Sequence, residues 1–153
     1  MIAHIKRAEE FADLIEVRFD CLESGSIKNC LENLPIIEKT YLFTFRSKEQ
    51  GGKREISLRE KLKFWELVFC VKRSDFMIDI EFDPKIMLVI DPPKTQRIVS
   101  YHDFEGTPDN LDFSWSAMSE LSNGVVKIAV QTDDITDSIE LWKLLDQDRK
   151  SVV

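Results

Sequence analysis

The pattern of hydrophobic and polar positions along the chain predicts five short strands separated by longer helical segments. The strand segments are apolar runs with alternating polar positions: LIEVRFD (14–20), YLFTFR (41–46), FMIDIEF (76–82), RIVSYH (97–102) and VVKIAVQ (125–131). Apolar residues at three- and four-residue spacings predict amphipathic helices at 56–72, 107–121 and 134–148. The prolines within 83–96 leave little room for a full helix there.

The alternation of strand and helix predicts parallel strands joined by helical crossovers. Each strand has an apolar and a polar face; in the first strand, Ile15 and Val17 oppose Glu16 and Arg18. The same alternation is typical of an antiparallel sheet with one solvated face, and for a single strand this alternative stays open. Because the helices need an apolar surface to cover, we favour parallel strands whose polar faces converge near their C-terminal ends, as in a barrel.

Six side chains belong to these converging polar faces: Glu16, Arg18, Arg46, Glu81, His102 and Lys127. Lys127 is the most informative, because an ammonium group is costly to remove from water. A neutral lysine amine attacks carbonyl carbons and forms Schiff bases. An ion pair with Glu81 or Glu16, or simple exposure to solvent, is the alternative interpretation.

The other members of this set fit the same chemistry. His102 lies one strand before Lys127, and an imidazole takes and returns protons near neutral pH. Arg18 and Arg46 suit a carboxylate-bearing substrate, since a guanidinium binds a carboxylate through two parallel hydrogen bonds. A loop histidine without a role and arginines in surface ion pairs are the alternatives. Taken together, the residues suggest imine chemistry on an anionic keto compound.

Composition narrows the class of protein and its partners. With 153 residues, 43% hydrophobic and 32% charged, the chain is typical of one soluble globular domain. A net charge of −7 argues against nucleic acid and anionic membranes as partners. The first 13 residues carry acids where a signal peptide would be apolar. Three cysteines without CxxC spacing indicate reduced thiols in a cytoplasm and no metal site.

Four segments resemble those of a known family: EVRFD (16–20), TFRSKEQGG (44–52), SYHDFEGTP (100–108) and VKIAV (126–130). They occur in the order found in type I 3-dehydroquinate dehydratases, and the resemblance runs from about residue 8 to 140. It implies a (β/α)8 barrel and a hydro-lyase that removes water from 3-dehydroquinate to give 3-dehydroshikimate. This reaction belongs to the shikimate pathway of aromatic amino acid biosynthesis, and the family uses neither a metal nor a dissociable cofactor.

The resemblance also implies roles for individual residues. Lys127 matches the lysine that forms the imine, and His102 matches the acid/base histidine. Substrate-binding positions of the family match Glu16, Arg18 and Arg46.

The sequence departs from the family pattern at one position near His102. A glutamate that supports the histidine usually precedes the Gly-Gly pair, whereas this chain has Gln50 there and Glu49 one residue earlier. An amide orients an imidazole but does not stabilise its cation as a carboxylate does. We therefore expect weakened support of His102 from Gln50, or from Glu49 after a small loop shift.

The second departure is length. A (β/α)8 barrel typically needs about 250 residues, whereas residues 1–153 hold five predicted strands. The sequence therefore predicts a single partial barrel domain without the first strand and the last two, either a fragment of a longer chain or an open barrel. Its unpaired edges at 14–20 and 125–131 predict association, for example as a homodimer. A fused shikimate dehydrogenase domain, as some family members have, is left open.

Two classes of function remain at this point. One is the lyase, acting on 3-dehydroquinate; the other is a non-catalytic relative that binds quinate-type ligands or regulates. Gln50 and the missing strands favour the binding module. The pair formed by His102 and Lys127 favours the lyase, because a pure binder needs no imine-forming lysine, and we adopt the lyase.

Overall fold

The computed structural model describes residues 2–87, 89–90, 97–108, 110–122 and 124–150. Five strands form one sheet in the order β1-β2-β3-β4-β5, and every neighbouring pair is parallel. The strands are β1 (Leu14–Arg18), β2 (Thr40–Thr44), β3 (Phe76–Glu81), β4 (Arg97–Asp103) and β5 (Val125–Val130). The helices are α1 (Ile2–Glu9), α2 (Ile27–Glu32), α3 (Leu58–Cys70), α4 (Pro84–Met87), α5 (Leu111–Ser122) and α6 (Ser138–Lys150).

The structure confirms the predicted parallel sheet with helical crossovers, which forms a partial barrel that is not closed. The antiparallel alternative is wrong, because all four strand pairs are parallel. The three predicted helices begin later than expected. In α3, Ser57 caps the helix by accepting from the backbone N–H of Glu60. Before α6, a 3-10 turn at Ile135–Asp137 occupies the positions assigned to the helix. In the proline-rich segment 83–96, the described residues include the short helix α4, and residues 88 and 91–96 lie outside the described residues.

The core lies between the sheet and the helices that cover one of its faces. Phe43 of β2, Ile78 of β3 and Val99 of β4 are at most 1% exposed. α3 packs Phe64 and Val68 against this surface. The opposite face of the same strands carries the polar side chains, as the two-residue alternation predicts.

The first strand ends earlier than predicted because a 3-10 turn, Phe19–Cys21, follows it directly. Phe19 enters the core, where its ring meets Phe43 edge-to-face at 5.4 Å between ring centroids. The next residue, Asp20, is also almost completely buried. The turn therefore places one apolar and one charged side chain inside the molecule, and the charged one lies at the C-terminal end of β1.

Within the described residues, no helix combines the length and the apolar composition that crossing a membrane requires.

Candidate active site

Arg46, two residues beyond β2, links three strands at their C-terminal ends. Its Nη2 donates to Asp79 Oδ2 of β3 at 2.7 Å, and its Nη1 donates to Ser100 Oγ of β4 at 2.6 Å. The same Nη1 lies 3.1 Å from Nδ1 of His102. Arg46, Asp79 and Ser100 are each at most 3% exposed. A buried guanidinium with a buried carboxylate partner therefore forms the centre of the polar cluster.

The contact with Arg46 determines which form of the His102 imidazole is present. A guanidinium only donates hydrogen bonds, so Nδ1 accepts and the proton of the neutral ring lies on Nε2. Burial, then the positive charges of Arg46 and Lys127, lower the pKa of His102 to about 4, while the charge of Asp79 opposes them. At neutral pH the ring is therefore uncharged, which is the form that accepts a proton.

Lys127 lies on β5 directly beside Ser100, its partner in the β4–β5 pairing. Its Nζ is 3.5 Å from Asp79 Oδ2, so the ion-pair partner is neither Glu81 nor Glu16. The side chain is 44% exposed, so the lysine is not buried, and its exposure agrees with the alternative that the sequence left open. β5 is covered less than the middle strands, which leaves the amine accessible to a ligand.

Asp79 joins the lysine to the rest of the cluster and was absent from the predicted set. It pairs with Arg46 and Lys127 and accepts a hydrogen bond of 2.5 Å from Ser100. The signal for it in the sequence was its place on the polar face of β3, between Met77 and Glu81. Through Asp79, the amine, the guanidinium and the imidazole belong to one connected network.

Glu81 does not join this network, contrary to the expectation that it converges with the others. Its Oε1 accepts from the backbone N–H of Ser47 at 2.6 Å, and its Oε2 pairs with Lys61 Nζ at 2.5 Å. Lys61 comes from α3 and is buried, and a buried ammonium requires a counter-charge. Glu81 therefore neutralises a helix lysine and fixes the backbone beside Arg46.

Glu16 and Arg18 occupy the β1 side of the site. The Glu16 carboxylate is on an exposed residue and accepts from Thr44 Oγ1 at 2.7 Å. Arg18 forms two parallel hydrogen bonds with Asp20, Nε to Oδ1 at 2.8 Å and Nη2 to Oδ2 at 2.9 Å. Arg18 thus lies at the rim of the polar face, partly exposed, with no described hydrogen bond to the Arg46 cluster.

The segment 46–54, which we name the Gly-Gly loop, connects these two sides. It contains a 3-10 turn at Lys48–Gln50, and Gly51 adopts a left-handed backbone with φ of 82°. A Cβ atom on Gly52 would lie 1.9 Å from the carbonyl oxygen of Arg46, so only glycine fits there. The loop is thereby folded tightly against the backbone of Arg46.

Gln50 is the member of this loop that reaches His102. Its Oε1 accepts from the backbone N–H of His102 at 2.8 Å. The described contact is thus with the main chain of the histidine, whereas the expectation was support of the imidazole. Glu49 is exposed, and no described hydrogen bond joins it to His102.

Comparison with known proteins gives a consistent result. The family model of type I 3-dehydroquinase matches residues 1–152. A 3-dehydroquinate dehydratase of Thermococcus onnurineus is 32% identical over 158 residues, which covers 99% of this chain and 70% of that protein. One of Streptococcus thermophilus is 33% identical, covering 86% of this chain and 60% of that protein.

Solved structures show the same fold. The crystal structure of a type I 3-dehydroquinate dehydratase from Clostridium difficile superposes with a TM-score of 0.70 at 26% identity, over 92% of this chain and 62% of that one. An Enterococcus faecalis 3-dehydroquinate dehydratase gives 0.71 at 23% identity, over 94% of this chain and 66% of that one, and supports the fold alone.

The chain thus spans between 60% and 70% of the length of these relatives. Within that span, the strand order, the family model and two relatives above 30% identity agree. The chain belongs to the type I 3-dehydroquinase family.

Proposed function

We propose that this chain carries the imine-forming site of a 3-dehydroquinate dehydratase, a hydro-lyase of the shikimate pathway. The observation that carries the proposal is the single network in which Asp79 joins the accessible amine of Lys127 to Arg46, and Arg46 contacts the uncharged imidazole of His102. Membership in the family supplies the substrate, 3-dehydroquinate. The reduced thiols expected from the cysteine pattern support a cytoplasmic location.

The chemistry balances with these residues and one ketone. The Nζ lone pair of Lys127 attacks the carbonyl carbon, and loss of the carbonyl oxygen as water leaves an imine. His102 takes a proton from the carbon beside the imine carbon. The electron pair of that C–H bond moves to form a carbon–carbon double bond as the hydroxyl leaves, protonated by the histidine. Hydrolysis of the imine restores the lysine and releases 3-dehydroshikimate, so the net change is loss of one water.

Two arginines are available for the substrate carboxylate. Arg46 is buried beside His102, with its Nη1 in contact with that ring. The Nε and Nη2 of Arg18 are bonded to Asp20, so a carboxylate at the partly exposed rim would use Nη1 of Arg18. A carboxylate bound between them would be held beside the base. We assign Glu16, exposed on β1, to the substrate hydroxyls.

A second candidate function is a binding module without turnover, and Gln50 favours it. In the described contacts no carboxylate of the Gly-Gly loop faces the imidazole, because Gln50 binds the main chain of His102 instead. The charge of Asp79 favours the imidazolium that forms after proton abstraction, whereas the charges of Arg46, Lys127 and Arg18 oppose it. Such a protein would bind the substrate, but it would remove the proton beside the carbonyl carbon of the substrate only slowly.

Covalent trapping separates the two candidates. Borohydride added with 3-dehydroquinate should reduce the imine and fix the ligand on the peptide that contains VVKIAV, and Lys127→Ala should abolish this mass. His102→Ala should still trap ligand, while turnover falls roughly 10²–10⁴-fold. The C. difficile structure, described with covalent modified comenic acid, is in keeping with such an adduct.

Mass on a different lysine, or full turnover in Lys127→Ala, would exclude the proposed mechanism. Trapping on Lys127 without turnover in the unsubstituted protein would favour the binding module.

A further inference from the structure

Asp20 has no assigned part in this chemistry, yet its carboxylate accepts four hydrogen bonds beside the site. Its side chain is completely buried. Oδ1 accepts from Arg18 Nε at 2.8 Å and from the backbone N–H of Arg46 at 3.4 Å. Oδ2 accepts from Arg18 Nη2 at 2.9 Å and from the backbone N–H of Lys53 at 3.1 Å. The two carboxylate oxygens of Asp20 therefore accept hydrogen bonds from four donors.

These four donors connect Arg18 with the segment that carries Arg46. One pair comes from the Arg18 fork, and the other pair comes from the two ends of the Gly-Gly loop. This loop also presents Gln50 to His102. Asp20 consequently ties the rim arginine to the loop that carries the buried arginine and the histidine contact.

We propose that Asp20 is a positioning residue that holds Arg18 and Arg46 at the spacing at which both bind one substrate carboxylate. The proposal deepens the proposed function and rests on it. Asp20 itself faces no ligand, because all of its side chain is buried beneath the groups it holds. Its negative charge fits this role: burial alone raises its pKa, but the hydrogen bonds and charge of Arg18, with the two backbone N–H groups, keep it below the ordinary value.

The fold itself has other supports in this region. Glu81 holds the backbone N–H of Ser47, and Gly52 N donates to Ser47 O at 2.8 Å. Phe19, the neighbour of Asp20, is packed in the aromatic core. Loss of the Asp20 charge should therefore loosen the arginines and the loop ends without unfolding the sheet.

Asp20→Asn is the decisive substitution, since it keeps the size of the side chain and removes its charge. An amide has one oxygen and one NH₂ group, so whichever way it turns, two of the four donors face another donor. Asp75→Asn is the matched control. Arg73 and Asp75 form the same bidentate pair at the same two-residue spacing, but at the N-terminal end of β3, away from the site.

The first measurement is backbone hydrogen exchange by NMR, which needs no activity. In Asp20→Asn the amide of Arg46 or of Lys53 should exchange at least tenfold faster, with the amides of β3 unchanged. In Asp75→Asn both loop amides should exchange at the original rate. The second measurement is steady-state kinetics on 3-dehydroquinate, where Asp20→Asn should raise KM at least tenfold with a smaller change in kcat, and Asp75→Asn should change neither.

Unchanged exchange at both loop amides would overturn the proposal. So would faster exchange with an unchanged KM, because Asp20 would then hold the loop without positioning the arginines for ligand. Urea titration should show a folded Asp20→Asn protein. If it shows no folded state, the proposal is also overturned, since Asp20 would then be required for the fold itself. If the unsubstituted protein neither traps nor converts 3-dehydroquinate, the proposed function fails, and the exchange data alone decide whether Asp20 holds the loop.

Discussion

Lowering the pH from 7 to 4 should destabilise this protein through His102. In the folded chain the pKa of His102 is about 4 because of burial, Arg46 and Lys127, whereas an unfolded chain has a histidine pKa of about 6.5. Between these two values the unfolded state binds the proton and the folded state does not. The contribution to stability is therefore fully present above about pH 6.5, declines as the pH falls and is lost below about pH 4.

The size of the effect follows from the two pKa values. A difference of about 2.5 between the two pKa values, at about 1.4 kcal/mol for each pKa unit, gives an upper limit of about 3.5 kcal/mol. The ring is only partly buried, so solvent screening lowers this figure, and we expect a loss of about 1–2 kcal/mol of unfolding free energy between pH 7 and pH 4.5.

His102→Asn isolates this contribution. The amide oxygen of asparagine can occupy the place of Nδ1 and accept from Arg46, but the side chain does not titrate. Urea unfolding of both proteins at the two pH values should show the parent losing about 1–2 kcal/mol more than the variant. Acid-sensitive carboxylates are present in both proteins and cancel in the difference.

An NMR titration provides an independent check, since the chain has two histidines and the variant removes one of them. The signal that disappears in the variant should titrate near pH 4 in the parent. Equal pH dependence of unfolding in both proteins, or a midpoint of His102 at or above 6.5, would refute the geometry in which Arg46 and Lys127 act on an uncharged ring.

Four further outcomes are expected. Arg46→Lys keeps the charge but loses the planar guanidinium that donates two parallel hydrogen bonds. Each charged hydrogen bond contributes about 1.5–3 kcal/mol, so KM should rise at least tenfold. An unchanged KM would show that Arg46 does not bind the substrate. Lys61→Met leaves Glu81 buried without its cation and should cost about 3 kcal/mol in urea unfolding, and a cost below about 1 kcal/mol would contradict a buried pair. Gly52→Ala should displace the Gly-Gly loop and lower kcat/KM, and wild-type kinetics would contradict the close approach. Among the described residues, β1 and β5 each have one unpaired edge, so the protein should associate in sedimentation, whereas a monomer at every concentration tested would contradict this.

Much of the fold was predictable because the strands obey a two-residue period and the segments between them do not. The limits of the elements were less predictable, since they depend on capping and turn contacts. Ser57 fixes the start of α3 through its bond to Glu60, and the turn at Phe19–Cys21 ends β1. A period in hydrophobicity carries no information about such local bonds.

The sequence predicted which side chains of the site share the polar face of the sheet, but it did not predict which of them bond to one another. Alternation along the strands selected Arg46 and Lys127, whereas the partners of each charge depend on elements that the pattern leaves unplaced. Glu81 shares the polar face of β3, yet it pairs with Lys61 because α3 brings that ammonium over the strand end. Asp79, one pleat earlier, is the carboxylate that the cluster uses.

The strands of this sheet pair in the order in which they follow along the chain, so each described strand pairs with its sequence neighbours. The residues of the site on the middle strands are therefore held more firmly than Lys127 on β5. Arg46, Asp79 and Ser100 are buried among β2, β3 and β4, whereas Lys127 is on β5, whose residues are all exposed or half-buried. Brief fraying of β5 withdraws the amine and leaves the guanidinium and its carboxylate partner in place. Anion recognition should therefore outlast reactivity as the protein is warmed or mildly denatured, with ligand still bound under conditions where borohydride no longer fixes it.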